Sequence, residues 1–243
     1  MGGAFSHTLT IPDNASDCFG FCMPGALQGF MQEVGNMHSE RIGYARDDLP
    51  QSVCWVLVKA FLRLERPVAR REEITVTTWY RGSIGAQVYR DYDVHSGGRR
   101  IGEAVTAWVT FDLEKQRILR PGIASATELV YTPPEPKTLV LGKPGRPETV
   151  RAAGTRPVRY SDLDMNGHMN NVKYLDAICD VLRLEERAGF FLRSAEIHYT
   201  GQTLPGQTLT LETGEFPDGR HYVSGTDGSG KRTFEAVVEL RGL

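Results

Sequence analysis

The chain has 243 residues, 40% of them hydrophobic and 24% charged, with a formal net charge of -2. That is long enough for one large domain or two small ones and ordinary for a globular protein. No global basic surplus marks a nucleic-acid binder, no apolar run approaches membrane-spanning length, and no basic stretch followed by an apolar core opens the chain, so the expected compartment is the cytoplasm.

Four cysteines, Cys18, Cys22, Cys54 and Cys179, include one close pair but no second pair or neighbouring histidines to complete a zinc site. They read as reduced buried thiols, with no metal and no cofactor expected.

His7 to Ile11 is strand-like, and Pro12 to Asp17 is turn chemistry. Leu27, Phe30, Met31, Val34, Met37 and Ile42 then recur at helical spacing, with Gly43 as the stop. Strands follow: Val53 to Leu64, then Ile74, Val76, Thr78 and Tyr80 in alternation, then Val88, Arg90, Tyr92 and Val94. The turn Ser96-Gly97-Gly98 leads to Val105, Ala107, Val109 and Phe111. One long helix followed by antiparallel strands is an α+β unit, whose helix buries its stripe against a curved sheet.

Pro133, Pro134, Pro136, Pro144 and Pro147 then cluster with Gly142 and Gly145. Proline removes ladder donors, so this stretch reads as a linker. The expected division is an N-terminal unit over 1–132, a linker over 133–153 and a C-terminal unit over 154–243.

After the linker the pattern restarts. Thr155 to Tyr160 is strand-like and Ser161 to His168 is turn chemistry. Asn171 to about Leu184 is helical, with the stripe Val172, Leu175, Ile178, Cys179 and Leu182. Strands are expected at Ala195–Thr200, Thr208–Glu212, His221–Ser224 and Phe234–Leu240, with hairpin turns at Pro217-Asp218-Gly219 and Asp227-Gly228. The order of elements repeats the first half. Glu40-Arg41-Ile42-Gly43 is echoed by Glu186-Arg187-Ala188-Gly189 as a helix end, and Asp17 and Gly20 hold the places of Asp164 and Gly167. A duplication is inferred. Phe19 and Phe21 stand where Asn166 and His168 stand, so the first half is expected to supply apolar wall for a ligand: Phe19, Phe21, Leu27, Phe30 and Met31.

The segment Ser161 to Tyr174 concentrates the chemistry. Asp162-x-Asp164-x-Asn166-Gly167 fits the start of a calcium-binding loop, but the twelfth position is Lys173 and no helix precedes it, which argues against calcium. Metal-free acid–base work is the better reading. If extended, the backbone projects Asp164, Asn166 and His168 to one side. A carboxylate attacks a carbonyl or activates water, while Asn and His hold it in place. Backbone amides at Gly167 and the helix start are placed to receive an oxyanion. Asn170 or Asn171 caps the helix, Asn171 being the stronger candidate.

Ser161-Asp162-Leu163-Asp164-Met165-Asn166-Gly167-His168-Met169-Asn170-Asn171-Val172-Lys173-Tyr174 resembles the signature of the acyl-acyl-carrier-protein thioesterases, the plant fatty-acyl enzymes and their bacterial relatives. The resemblance implies a tandem double hotdog, each half a long helix wrapped by an antiparallel sheet, and hydrolysis of a fatty acyl thioester on acyl carrier protein. It carries Asp164, Asn166 and His168 onto the family's catalytic Asp, Asn and His. The family often has a Glu, followed in plants by a Cys, after the second helix. Gln202 and Thr203 stand there, so a Cys–His mechanism is not available at that place, and Gln202 is left to orient water.

Acyl carrier protein is acidic, and Lys143, Arg146, Arg151, Arg156 and Arg159 are docking candidates. The rival readings are an acyl-CoA or aryl-CoA thioesterase of the same fold, and a non-catalytic acyl-binding protein. A fused pair is expected to be a monomer or a homodimer.

Overall fold

The protein is described by a computed structural model covering residues 3–134 and 141–243; Pro136 of the expected linker lies outside the described residues. The first half runs β1 (Phe5–Thr10), α1 (Pro24–Ile42), β2 (Val53–Leu64), β3 (Glu73–Ile84), β4 (Gln87–Ser96), β5 (Arg99–Asp112) and the short β6 (Arg117–Leu119). The second runs β7 (Arg151–Pro157), α2 (Asn171–Val181), β8 (Phe190–Tyr199), β9 (Thr208–Glu215), β10 (His221–Thr226) and β11 (Arg232–Gly242).

The strands form one sheet in the order β1-β3-β4-β5-β2-β8-β11-β10-β9-β7, with β6 pairing β5. Read outward from the middle, each half has the same order. The halves meet where β2 and β8 pair antiparallel, Lys59 opposite His198 through Arg63 opposite Ser194. Two equivalent edges pair head to tail, which leaves neither as an open template for aggregation. The architecture is a tandem double hotdog of the α+β class.

The helix α1 forms because apolar residues recur at its period and Pro24 opens its first turn. It ends at Gly43, whose φ of 74° is open to glycine at little cost. Leu27, Met31 and Val34 face the sheet among Leu62, Leu64, Ile74, Val76, Tyr92 and Val94. Each such burial stabilises by about 1.5–3 kcal/mol. Leu175, Ile178 and Leu182 repeat the arrangement under α2, against Leu209, Leu211, Val223 and Phe234.

Several expected boundaries shift. The second helix stops at Val181, and Arg183 turns the chain with φ 53°. Leu184–Glu186 is a separate 3-10 turn. Gly189, at φ 84°, therefore introduces β8 and does not end a helix. β8 begins at Phe190 and β7 at Arg151, each earlier than the apolar alternation indicates. Ladder pairing to β11 and β9 extends both strands past their alternating cores. From Val130 to Val150 the described residues form neither helix nor strand. Leu141 packs on Tyr89, Val105 and Ala107, and its carbonyl accepts a hydrogen bond from Lys59 Nζ at 2.8 Å. Cys22 and Cys54 are buried as expected, whereas Cys18 is exposed.

Two features of α1 have measurable consequences. Gly25 lies against α2, where a Cβ would stand 2.9 Å from the Val172 carbonyl oxygen, while a Cβ on Gly29 would meet Val172 Cγ1 at a comfortable 3.7 Å. Gly25→Ala is expected to lose about 1–3 kcal/mol through overpacking. Gly29→Ala is expected to be neutral or to gain up to about 1 kcal/mol from helix propensity. Urea unfolding of the two variants checks the contrast.

At the other end of α1, His38 is buried and its Nδ1 lies 2.8 Å from Arg90 Nη1. A guanidinium only donates, so Nδ1 accepts. Burial first, then the charges of Arg90 and Arg41, push the imidazole from 6.5 down to about 4. The unfolded chain thus takes up this proton near 6.5 and the folded chain only near 4, so stability falls as pH drops through that window. Urea midpoints should decline across it, and His38→Gln should flatten the decline. His221, also lowered chiefly by burial, maintains a residual slope.

Candidate active site

The motif begins with a 3-10 turn, Tyr160–Asp162. Arg156 of β7 fixes it, bonding Asp162 Oδ1 and Asp180 Oδ2 at 2.9 Å each. Burial alone would raise the Asp162 carboxyl, but the Arg159 amide and the Arg156 guanidinium more than offset it and hold it below the usual range.

The next residues close a tight loop. Leu163 bridges to Met169, the Asp164 N–H donates to the His168 carbonyl at 2.8 Å, and the Gly167 N–H to the Asp164 carbonyl at 3.0 Å. Gly167 has φ 75°. Asp164 Oδ1 accepts the amides of Asn166 at 2.8 Å and His168 at 3.1 Å. The backbone is therefore a turn and not extended, and alternation does not decide which side chains share a face.

The first half repeats this loop bond for bond. Ser16 bridges to Cys22, and the Asp17 N–H donates to the Phe21 carbonyl at 2.7 Å. Asp17 Oδ1 accepts the amides of Phe19 and Phe21 at 2.9 Å each. Gly20, with φ 81°, stands where Gly167 stands. The pairing of Asp17 with Asp164 and Gly20 with Gly167 is a structural equivalence. It also assigns Asp164 Oδ1 a scaffold role, because Asp17 makes the same bonds.

What differs is the surroundings of Asp164. It lines a cavity of about 390 Å3 together with Met165, Asn166, Asn170 and Asn171. The helix α1 contributes Gln32, Gly35, Asn36, Ser39 and Glu40. The first-half sheet and its flanking segments contribute Cys54, Trp55, Tyr80, Val88, Arg90, Tyr92, Trp108 and Ile123. The second half thus supplies the loop and the first half supplies the wall. Among the described residues no side chain bonds Asp164 Oδ2, leaving one carboxylate oxygen available beside the cavity.

The helix cap falls on Asn170, whose Oδ1 accepts the Val172 N–H at 3.2 Å. Asn171, the stronger sequence candidate, is instead the first residue of α2 and lines the cavity. Tyr199 holds it from behind, donating to the Asn171 carbonyl at 3.2 Å and accepting Gln28 Nε2 at 3.1 Å. The Gly167 amide is committed to the Asp164 carbonyl. The Asn171 amide has no hydrogen-bond partner among the described residues, so the orphan donor at the helix start lies there.

Other expected site residues fall elsewhere. His168 is half-buried and outside the cavity wall, and Gln202 is exposed. The chain turns at Gly201, and Thr203 takes the inward place, its Oγ1 accepting Tyr174 Oη at 2.9 Å. None of Phe19, Phe21, Leu27, Phe30 and Met31 lines the cavity. Leu27 and Met31 are core residues with Phe30 packed beside them, and Phe19 is 37% exposed. Two stripes of α1 diverge here, with the apolar one in the core and the Gln32-Asn36-Ser39 one on the cavity. Arg156, a docking candidate, is consumed by its two ion pairs, and Arg146 pairs with Glu212 at 3.1 Å.

Cys54 and Arg90 were not singled out by motif. Burial chiefly raises the Cys54 thiol, with Asp164 adding to the effect and Arg46 opposing it, so it is a poor nucleophile near neutrality. Arg90 had a signal in the sequence: it occupies the same row of β4 as Val88, Tyr92 and Val94, a charge among apolar positions.

The sequence matches the acyl-ACP thioesterase N-terminal domain over residues 4–122 and the acyl-ACP thioesterase C-terminal domain over 147–232. Oleoyl-acyl carrier protein thioesterase 2, chloroplastic, of Arabidopsis thaliana is 25% identical over 227 residues, 84% of this chain and 61% of the relative. Oleoyl-acyl carrier protein thioesterase 1 of the same plant is 24% identical over 242 residues, covering 89% and 66%. The chain thus spans 61% to 66% of the length of these relatives. An acyl-ACP thioesterase from Bacteroides thetaiotaomicron superposes with a TM-score of 0.82 at 20% identity, covering 98% of each chain. The 12:0-ACP thioesterase from Umbellularia californica gives 0.81 at 18% identity, over 99% and 98%; at these identities the likeness speaks to the fold. With both domain models of one family matched in order along its length, the chain belongs to the acyl-ACP thioesterase family.

Proposed function

We propose that this protein hydrolyses the thioester joining a fatty acyl group to acyl carrier protein, and that it comprises two units, 1–132 and 154–243, joined by 133–153. The observation that carries the reading is Asp164 at the cavity, with Oδ1 held by two amides and Oδ2 available. The acyl chain lies against Trp55, Tyr80, Val88 and Trp108. Asp164 Oδ2 draws a proton from water as that water adds to the thioester carbon. The Asn171 amide and the positive end of α2 receive the charge that develops on the carbonyl oxygen. The carbon–sulfur bond then breaks, and the carrier thiolate takes the proton. Asn166 stands beside the reacting water, and His168 flanks the loop. Gln202, exposed and off the wall, has no part.

One observation favours a second reading, an acyl-binding protein without hydrolysis: Asp17 makes the same turn, with Phe19 and Phe21 in place of Asn166 and His168, so the carboxylate is accounted for by the turn alone. Asparagine separates the two, because its side-chain oxygen accepts the same two amides but cannot act as a base. Asp164→Asn is expected to fold normally and to lose about two to four powers of ten in thiol release. Asp17→Asn is expected to retain turnover. Full activity in Asp164→Asn assigns the carboxylate to scaffolding alone.

The proposed carrier docks near the loop, where Tyr160 is 92% and Met165 86% exposed, beside the exposed Arg159. Lys143 and Arg151 are exposed as well. Reversing Lys143 and Arg159 should raise KM for carrier-bound substrate several-fold, increasingly so at low salt, and leave a CoA thioester unaffected. Equal effects on both substrates would remove this surface from docking.

A further inference from the structure

The cavity wall sets Trp55, Val88, Trp108 and Ile123 beside polar side chains, and its buried side holds donors that a hydrocarbon cannot satisfy. Arg90 is 8% exposed and lines the cavity. Its Nη1 bonds His38 Nδ1 at 2.8 Å and Thr78 Oγ1 at 3.3 Å, and its Nη2 bonds Ser39 Oγ at 2.9 Å. All three partners are neutral: two are hydroxyls, and His38 is held uncharged near neutrality by burial and by Arg90 itself.

No carboxylate pairs with Arg90 among the described residues. Asp91, next in the chain, is engaged by Arg81, and the acidic residues of the wall, Glu40, Asp47 and Asp164, form no ion pair with Arg90. A guanidinium carries five N–H donors, and three bonds leave two over. Gln32 Nε2, on α1 and lining the same cavity, is buried with no hydrogen-bond partner. Buried charges and amides without acceptors are strongly disfavoured unless a ligand completes them.

We propose that this side of the cavity receives an acceptor oxygen, so that the site prefers acyl chains bearing a hydroxyl, oxo or carboxylate group remote from the thioester over plain chains of equal length. The proposal rests on the thioesterase reading of the same cavity. Arg90 donates to the remote oxygen through its uncommitted Nη2 hydrogen and Gln32 through Nε2. A methyl terminus placed there leaves both donors unmet, the kind of mismatch that discriminates strongly between otherwise similar substrates.

The test uses the full chain and acyl carrier protein thioesters of increasing length, each in plain, terminal-hydroxyl and terminal-carboxylate forms. Binding of the matching free acids is measured in parallel by calorimetry. At the length that fits, an oxygenated form should exceed the plain form by about tenfold or more in kcat/KM and in affinity. The two oxygenated arms separate a neutral acceptor from an anionic one. Arg90→Met should abolish the preference, and Gln32→Leu should reduce it. If Arg90→Met does not fold, the wild-type ranking and Gln32→Leu still decide. Plain chains matching or exceeding the oxygenated forms at every length would overturn the proposal, as would an unchanged ratio in a folded Arg90→Met. Preferential binding of oxygenated acids with no thioester cleaved would uphold it while removing the hydrolase reading. Cleavage of plain chains alone would do the reverse.

Discussion

The antiparallel pairing of β2 with β8 is the constraint on which the rest depends. Because two equivalent edges meet head to tail, the loop of each half is carried toward the other half. Asp164 belongs to the second half, yet Gln32, Asn36, Tyr92 and Trp108 around its cavity all belong to the first. Neither half alone holds both the Asp164 loop and the wall that faces it. The link Gln28–Tyr199–Asn171 crosses the same junction and ties α1 to the first residue of α2. Strand pairing, an interaction of backbone alone, thereby fixes the distance between the loop of one half and the chamber wall of the other.

Both halves carry the same loop, and the comparison separates scaffold from chemistry. An aspartate accepting two amides across a turn is a local solution to the backbone's need for acceptors. It is satisfied identically by Asp17 and Asp164. The divergence lies in the neighbours: Phe19 and Phe21 replace Asn166 and His168. The same turn carries apolar side chains in one half and polar ones in the other. The loop geometry is therefore common to both halves, and the cavity beside it decides what the carboxylate can do.

Much of this was legible in the sequence. The strands β2 through β5, the helix α1 with Gly43, and the correspondence of Asp17 with Asp164 follow from periodicity and turn residues, signals that depend on near neighbours. The cavity wall was not legible, because the helix spacing that identifies Leu27 and Met31 as one stripe does not say whether core or cavity lies against it. Nor does spacing reveal that Gln32 and Asn36 face a chamber. The alternation expected through Asn166 failed for a local reason: Gly167 turns the chain, and Asp164 Oδ1 gathers the amides on either side. Gln202 was placed by resemblance, and the turn at Gly201 directs Thr203 inward in its stead.

Arg90 lies where those signals meet. Its place in the row of Val88, Tyr92 and Val94 is an inward place, and an inward cation in an apolar row is rarely accidental. The fold meets part of its need with neutral partners, keeping His38 uncharged in doing so. A second arginine one strand away shows the contrast. Arg81 pairs with Asp91 on the neighbouring register and needs nothing further. Two arginines on adjacent strands, one neutralised and one not, argue that the uncompensated charge is retained for the cavity it lines. A purely structural cation at Arg90 would be better served by a carboxylate in place of Ser39 or Thr78, and neither position holds one.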